Sequence, residues 1–159
     1  MQLKWLKYRE LTADYIRGAN VYARNYNLPI LTYDGISISP AKLQVLEYIL
    51  ENEENNLPMS ALAEKLGITR GAFSTHVSEL KEMGLLVKKH PDGNAKVYHL
   101  EVSEKGKTLY NMYSASMEEL AFHEIDSMLD ELSPEEYEKF AAIVKTVTQK
   151  LMIGKTPNQ

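Results

Sequence analysis

Cysteine is absent from this chain of 159 residues, which excludes disulfides, thiolate metal sites and any thiol-based redox switch. No apolar run approaches the roughly 18 residues that a membrane-spanning helix needs. The first ten residues, MQLKWLKYRE, are already charged and lack the pattern of a secretory leader. A cytoplasmic location without membrane contact is therefore expected. Phosphate loops, nucleophile elbows and His/acid pairs at catalytic spacing are also missing, so the reading is not that of an enzyme, and no cofactor is called for. His123, Glu124 and Asp126 come nearest to a metal set, but they do not share one helical face, and His76, His90 and His99 are scattered. No metal site is expected.

Hydrophobic content of 44% and charged content of 25% fit a globular protein of one domain, with length to spare for an oligomerising extension. The net charge of −4 speaks against nucleic acid until its distribution is considered. Residues 60–110 hold eight lysines and arginines against six acids, residues 111–159 four against nine, and residues 1–59 six against seven. The basic excess thus lies on the middle of the chain and the acidic excess on its C-terminal part.

That middle holds the organising stretch, LPMSALAEKLGITRGAFSTHVSELKEMGLL. Leu62, Ala63 and Leu66 share one face of a short helix, and Phe73, Val77 and Leu80 share one face of the next. Gly67 breaks the chain between them, Thr69 stands where an N-cap belongs, and Gly84 ends the second helix. Small Ala63 and the glycine turn allow the close crossing of a helix-turn-helix. After Gly84 the period becomes that of strands: Leu85–Lys89, a turn at His90–Asn94, then Lys96–Val102. A helix-turn-helix followed by such a hairpin is a winged helix.

Long helices flank this lobe. Over residues 3–27, Tyr8, Tyr15 and Tyr22 recur every seven residues, with Leu11, Ala19 and Tyr26 in the same seam. Asn27-Leu-Pro29 closes that helix, and residues 30–38 read as a connector turning at Asp34-Gly35. Ser39-Pro40 opens the next helix, with Leu43, Leu46, Ile49 and Leu50 facing inward. Ser103 caps a helix running to about Asp130, and Ser133-Pro-Glu-Glu136 is a capping box for a last one, striped by Tyr137, Phe140, Ala141, Val144, Val147 and Leu151. The expected order is α-α-α-α-β-β-α-α, a mainly α protein with a small β wing. Residues 39–102 are expected to form a DNA-binding lobe within this single chain (residues 1–159). Residues 1–30 and 103–153 supply amphipathic helices whose seams are best buried against a second copy, giving a C2 homodimer.

In LAEKLGITRGAFSTHVSELKEMGLL (Leu62 to Leu86), in VSEKG (Val102 to Gly106) and in the long helices on both sides of the wing, the chain resembles the MarR family of bacterial transcriptional regulators. The resemblance covers nearly the full length. It implies a homodimer that binds double-stranded DNA at a palindromic operator, usually as a repressor relieved by a small ligand or a redox signal. Two positions depart from the family pattern. The wing usually carries Asp-x-Arg after its turn, where this chain has Asn94-Ala95-Lys96, and lysine lacks the planar fork that suits a narrow minor groove. The recognition helix often carries an arginine where this chain has Thr75.

With Phe73, Val77 and Leu80 inward, the outer face of the recognition helix presents Arg70, Gly71, Ser74, Thr75, Ser78 and Lys81. Arg70 is one of four arginines in the chain and the one in its DNA-binding half, and arginine is the commonest bidentate reader of guanine. The short hydroxyl residues suit phosphate or thymine-methyl contact. Lys88, Lys89, Asn94 and Lys96 extend the expected DNA-binding set along the wing. The resemblance also implies an effector site between the lobe and the dimerisation helices, with Tyr15, Tyr22, Tyr48, Met112, Tyr113 and Ser116 as lining residues. Their tyrosines suit an aromatic or phenolic acid, although tyrosines at heptad spacing also serve as plain packing. The competing reading is a winged helix used only for protein interaction, with the acidic C-terminal part as its partner surface.

Overall fold

The computed structural model describes residues 6–55, 57–89 and 99–152, with the side chains of residues 6, 120, 121, 151 and 152 excepted. The chain divides into two compact units, Met1–Tyr110 and Asn111–Gln159. Among the described residues no helix is long and apolar enough to cross a membrane.

In the first unit, a 3-10 turn at Leu6–Tyr8 leads into α1, Arg9–Asn25. The segment expected as a connector then departs from that reading. Strands β1 (Leu31–Tyr33) and β2 (Ile36–Ile38) pair antiparallel, with Leu31 opposite Ile38 and Tyr33 opposite Ile36. Asp34 (φ 49°) and Gly35 (φ 73°) both adopt left-handed conformations, which is the two-residue turn whose twist matches the flanking strands. Lys105 Nζ lies 2.7 Å from Asp34 Oδ2 and ties this turn to the helix that follows the wing. That lysine, by hydrogen bond first and charge second, holds the Asp34 carboxyl below its ordinary pKa.

Helix α2 (Pro40–Glu51) is the pillar of the unit. Ala41, Leu43, Val45, Leu46 and Ile49 are buried, so apolar contact surrounds most of its circumference, while Leu50 is half-buried. Ser39 has the extended backbone of an N-cap, but its hydroxyl caps nothing. Pro40 has no N–H to offer, the Ala41 N–H donates to the Tyr26 carbonyl at 3.0 Å, and the Lys42 N–H donates to the Ser39 carbonyl at 3.1 Å. The hydroxyl is left buried without a hydrogen-bond partner among the described residues.

Helix α3 (Met59–Leu66) ends at Gly67, whose φ of 74° is the left-handed cap that glycine adopts without a Cβ penalty. Ile68 N–H returns to the Ala63 carbonyl at 3.1 Å, which turns the chain back for α4, Arg70–Glu82. The cap expected at Thr69 forms: its Oγ1 accepts from the Ala72 N–H at 3.1 Å. Phe73, Val77 and Leu80 are buried as the 3.6-residue period requires. Beyond Gly84, β3 (Leu86–Lys89) pairs antiparallel with β4 (His99–Val102), Leu86 opposite Val102 and Lys89 opposite His99. The turn expected at His90–Asn94 lies outside the described residues.

The VSEKG junction has a steric cause. Ser103 Oγ donates to the Gly84 carbonyl at 2.7 Å and accepts from the Gly106 N–H at 3.0 Å. Helix α5 (Glu104–Met117) sits so close to the start of the wing that a Cβ on Gly106 would lie 2.4 Å from the Leu85 carbonyl oxygen and 2.7 Å from Val102 Cγ1. One serine and one glycine thus fasten the end of α4, the root of β4 and the start of α5 together.

In the second unit, helical backbone continues to Asp130 as expected, but not as one α-helix. A π-helical turn at Glu118–Phe122 separates α5 from α6, His123–Asp130. Helix α7 (Pro134–Met152) opens on the expected capping box. Glu136 Oε2 accepts from the Ser133 N–H at 2.9 Å and from its hydroxyl at 2.7 Å, and these bonds, the hydroxyl's first, hold the Glu136 carboxyl below its ordinary pKa. The observed order is therefore α-β-β-α-α-α-β-β-α-α-α. It remains a mainly α winged helix, with one hairpin and one helix break more than the sequence pattern suggests.

Candidate nucleic-acid interface

Helix α4 is buried along one side and open along the other. Arg70, Gly71, Ser74, Thr75 and Ser78 are exposed, and Lys81 is half-buried. Arg70, Ser74 and Ser78 succeed one another at four-residue steps and so line a single ridge. Neither Arg70 nor Lys81 makes a side-chain hydrogen bond or ion pair among the described residues, so neither cation is committed to an intramolecular acid.

The hydroxyls differ from the sequence expectation in a chemically useful way. Thr75 Oγ1 donates to the Gly71 carbonyl and Ser78 Oγ to the Ser74 carbonyl, each at 3.1 Å. Their hydrogens are used by the helix itself. What they offer outward is a lone pair, which accepts from an exocyclic amine of adenine or cytosine, whereas a phosphate needs a donor. Ser74 Oγ has no partner among the described residues and keeps its hydrogen to give.

The Lys42–Glu79 ion pair holds α4 against the pillar behind it, and His76, on α4 itself, lies beside the same carboxylate. Lys42 Nζ, on α2, lies 3.2 Å from Glu79 Oε2, and His76 Nδ1 lies 3.5 Å from the same oxygen. Hydrogen bonding from Lys42 is the chief reason that the Glu79 carboxyl titrates below its ordinary range, and His76 adds to it. The sequence carries no local signal for this tie, because its partners belong to different helices. The same is true of Glu53, whose Oε1 accepts the Val102 N–H at 2.6 Å and so clips the turn after α2 to the last residue of β4.

On the wing, Lys88 and Lys89 are exposed and, as neighbours in a strand, point to opposite faces. Lys89 Nζ is 2.9 Å from Glu101 Oε1, so part of its charge is already answered. Asn94 and Lys96 lie outside the described residues.

The expected effector residues are placed as follows. In the first unit, the Tyr22 hydroxyl accepts from the Gln44 amide, and the Tyr22 ring is 5.4 Å from that of Tyr26. Burial raises the Tyr26 pKa. Tyr48 is half-buried one turn beyond Gln44, and Tyr15 is exposed. In the second unit, Met112 is exposed, Tyr113 is half-buried, and the Ser116 hydroxyl donates to the Met112 carbonyl at 2.9 Å. Several of the polar tips that the sequence suggests for a ligand are thus engaged locally.

Comparison with known proteins agrees with this geometry. Residues 36–96 match the model of the MarR family. No curated protein sequence matches the chain. Among solved structures, Streptococcus pneumoniae FabT in complex with DNA is similar with a TM-score of 0.61 at 18% identity, over 96% of this chain and 100% of that one. The zinc-responsive MarR family member ZitR of Lactococcus lactis is similar with a TM-score of 0.58 at 17% identity, over 90% and 98%. The S. aureus MepR–DNA complex is similar with a TM-score of 0.57 at 15% identity, over 94% and 96%. These likenesses extend the match from the lobe to the fold of nearly the whole chain. With the helix-turn-helix, the paired strands β3 and β4 and the VSEKG junction in place, the chain has a winged helix-turn-helix fold, and residues 36–96 of it are similar to the MarR family.

Proposed function

We propose that this protein is a homodimeric, sequence-specific DNA-binding repressor of a palindromic operator, released by a small aromatic ligand. The observation that carries the reading is the outer ridge of α4. A helix whose inner side is anchored in the core exposes an uncommitted arginine at its N-terminal end and short hydroxyl residues behind it. Such a helix fits a major groove, where Arg70 would take a guanine edge and Thr75 and Ser78 would accept from base amines. Like-folded FabT and MepR are known in DNA complexes. Two-fold pairing of two copies through the terminal helices would set two such ridges one helical turn apart on one side of the duplex. The exposed apolar side chains of α7, Tyr137, Phe140, Ile143 and Val144, support that pairing.

Fluorescence anisotropy with an inverted repeat from the gene's own upstream region tests the reading. Specific binding near 10 nM or tighter at physiological salt is expected, with a scrambled duplex weaker by about a thousandfold. Equal affinity for both duplexes would leave only the protein-interaction reading. For the effector, aromatic acids should raise the melting temperature of the protein. No shift at about millimolar ligand would remove that part of the proposal.

A further inference from the structure

A cleft of about 310 Å³ opens at the far end of the pillar, lined by the last turn of α2 and the turn after it (Ile49, Asn52, Glu53), the start of α3 (Leu57 to Met59, and Leu62) and β4 (His99, Leu100). Its volume is in the range of small-molecule sites. Most of the lining residues are apolar, and the polar side chains among them are Asn52, Glu53 and His99. Asn52 has already turned its amide N–H to the Tyr48 carbonyl at 2.8 Å. Among the described residues of the lining, Glu53 is the one of fixed charge, and neither lysine nor arginine is among them. One of its oxygens accepts the Val102 N–H at 2.6 Å, and the other has no partner among the described residues.

From this we propose that the cleft is a binding site for a hydrophobic cation, a small amine carried on an apolar body, with Glu53 as its counter-ion. An apolar body alone would fit the walls, but the half-buried carboxylate sets the charge. An ammonium group gains a charge-assisted hydrogen bond at the unused oxygen, whereas an anion would meet a like charge with neither lysine nor arginine among the described lining residues to offset it. The site also has a route to the wing. The carboxylate that takes the amine is the one that clips Val102, and Val102 pairs with Leu86 and directly precedes the Ser103 fastening. None of its lining residues belongs to the six expected to hold an aromatic acid, and the charge preference is opposite. The proposal therefore does not depend on the effector reading or on DNA binding.

Titration of the full-length protein with phenethylammonium and with 3-phenylpropionate, of similar shape and opposite charge, tests it by calorimetry. The amine should bind at least about tenfold more tightly than the acid, and the Val102 amide resonance should move as it does. Glu53→Gln keeps an acceptor for the Val102 N–H and removes the charge, so the amine's advantage should fall by about tenfold or more. Met59→Trp fills the cleft from a different wall and should abolish binding, which keeps the test decisive if Glu53→Gln lowers the melting temperature. Equal binding of amine and acid, amine binding that survives Met59→Trp, or no amine binding at about 10 mM would each overturn the site.

Discussion

The winged lobe and the terminal helices of this protein are built on opposite terms. Every buried hydrophobic residue among the described ones falls between Ile38 and Leu109, so the lobe finds its apolar partners within itself. Helices α1 and α6 bury none of their residues, and α7 leaves Tyr137, Phe140, Ile143 and Val144 each about half-exposed. Amphipathic sequence is present in both regions, but only the lobe satisfies its own stripes. The difference teaches where single-chain stability resides. It also shows which part of the protein would gain most from a partner, since an exposed apolar stripe on a helix gains its stabilisation only when something covers it.

The sharpest way to break this contrast is to truncate one ring in each region. Phe73→Ala, at a fully buried position, should cost about 3–5 kcal/mol and unfold the lobe at moderate denaturant. Phe140→Ala should leave the lobe's denaturation midpoint in place and instead weaken self-association, read as a concentration-dependent shift in sedimentation. Similar losses of lobe stability in both variants would erase the distinction. Next in size, Gly106→Ala should cost about 1–3 kcal/mol, because backbone rather than a movable side chain stands where its Cβ must go. Urea melts would show it, and a neutral result would mean that α5 can slide from the wing. Arg70→Ala should separate function from stability. Operator binding should weaken by about 1–3 kcal/mol while the melting curve stays unchanged. An unchanged affinity would take Arg70 out of the reading ridge.

The smallest effect is electrostatic. The Glu79 carboxyl is held below its ordinary, unfolded-state pKa, chiefly by the hydrogen bond from Lys42. Its contribution is therefore present above that value and lost as pH falls through the lower folded value. With Glu79 well exposed, screening keeps the contribution to about 0.2–1 kcal/mol. Wild type and Glu79→Gln should differ by this amount in urea melts at pH 7 and converge in acid; a gap that persists at low pH would assign the difference to packing instead.

Much of the lobe was legible because its signals are local. Gly67, Thr69 and Gly84 mark their breaks by backbone chemistry, and Phe73, Val77 and Leu80 mark one face by period alone. The hairpin at 31–38 was partly legible. Asp34-Gly35 was read as a turn, but three residues on either side are too few for alternation to declare a strand, and the pairing of Leu31 with Ile38 is what settles it. Ser39-Pro40 marked the start of α2 correctly, but that the Ser39 hydroxyl caps nothing was not legible, because Tyr26, remote in sequence, takes the Ala41 N–H. In the reading ridge, the residue types could be named from the period, but the inward-turned hydrogens of Thr75 and Ser78 depend on rotamers that composition does not reveal. The ties of Glu79 to Lys42 and of Glu53 to Val102 join distant parts of the chain, and no short window contains both ends.

The Ser103–Gly106 fastening has a mechanical consequence. Because one serine hydroxyl grips the carbonyl that ends the turn after α4 and the N–H that opens α5, no compliant joint separates the reading helix, the wing root and the first turns of α5. Rotation of α5 by any cause is transmitted to the helix and the wing together, as through a weld. The two elements proposed to face DNA then change their pitch as one piece, so a single small rotation misaligns both at once.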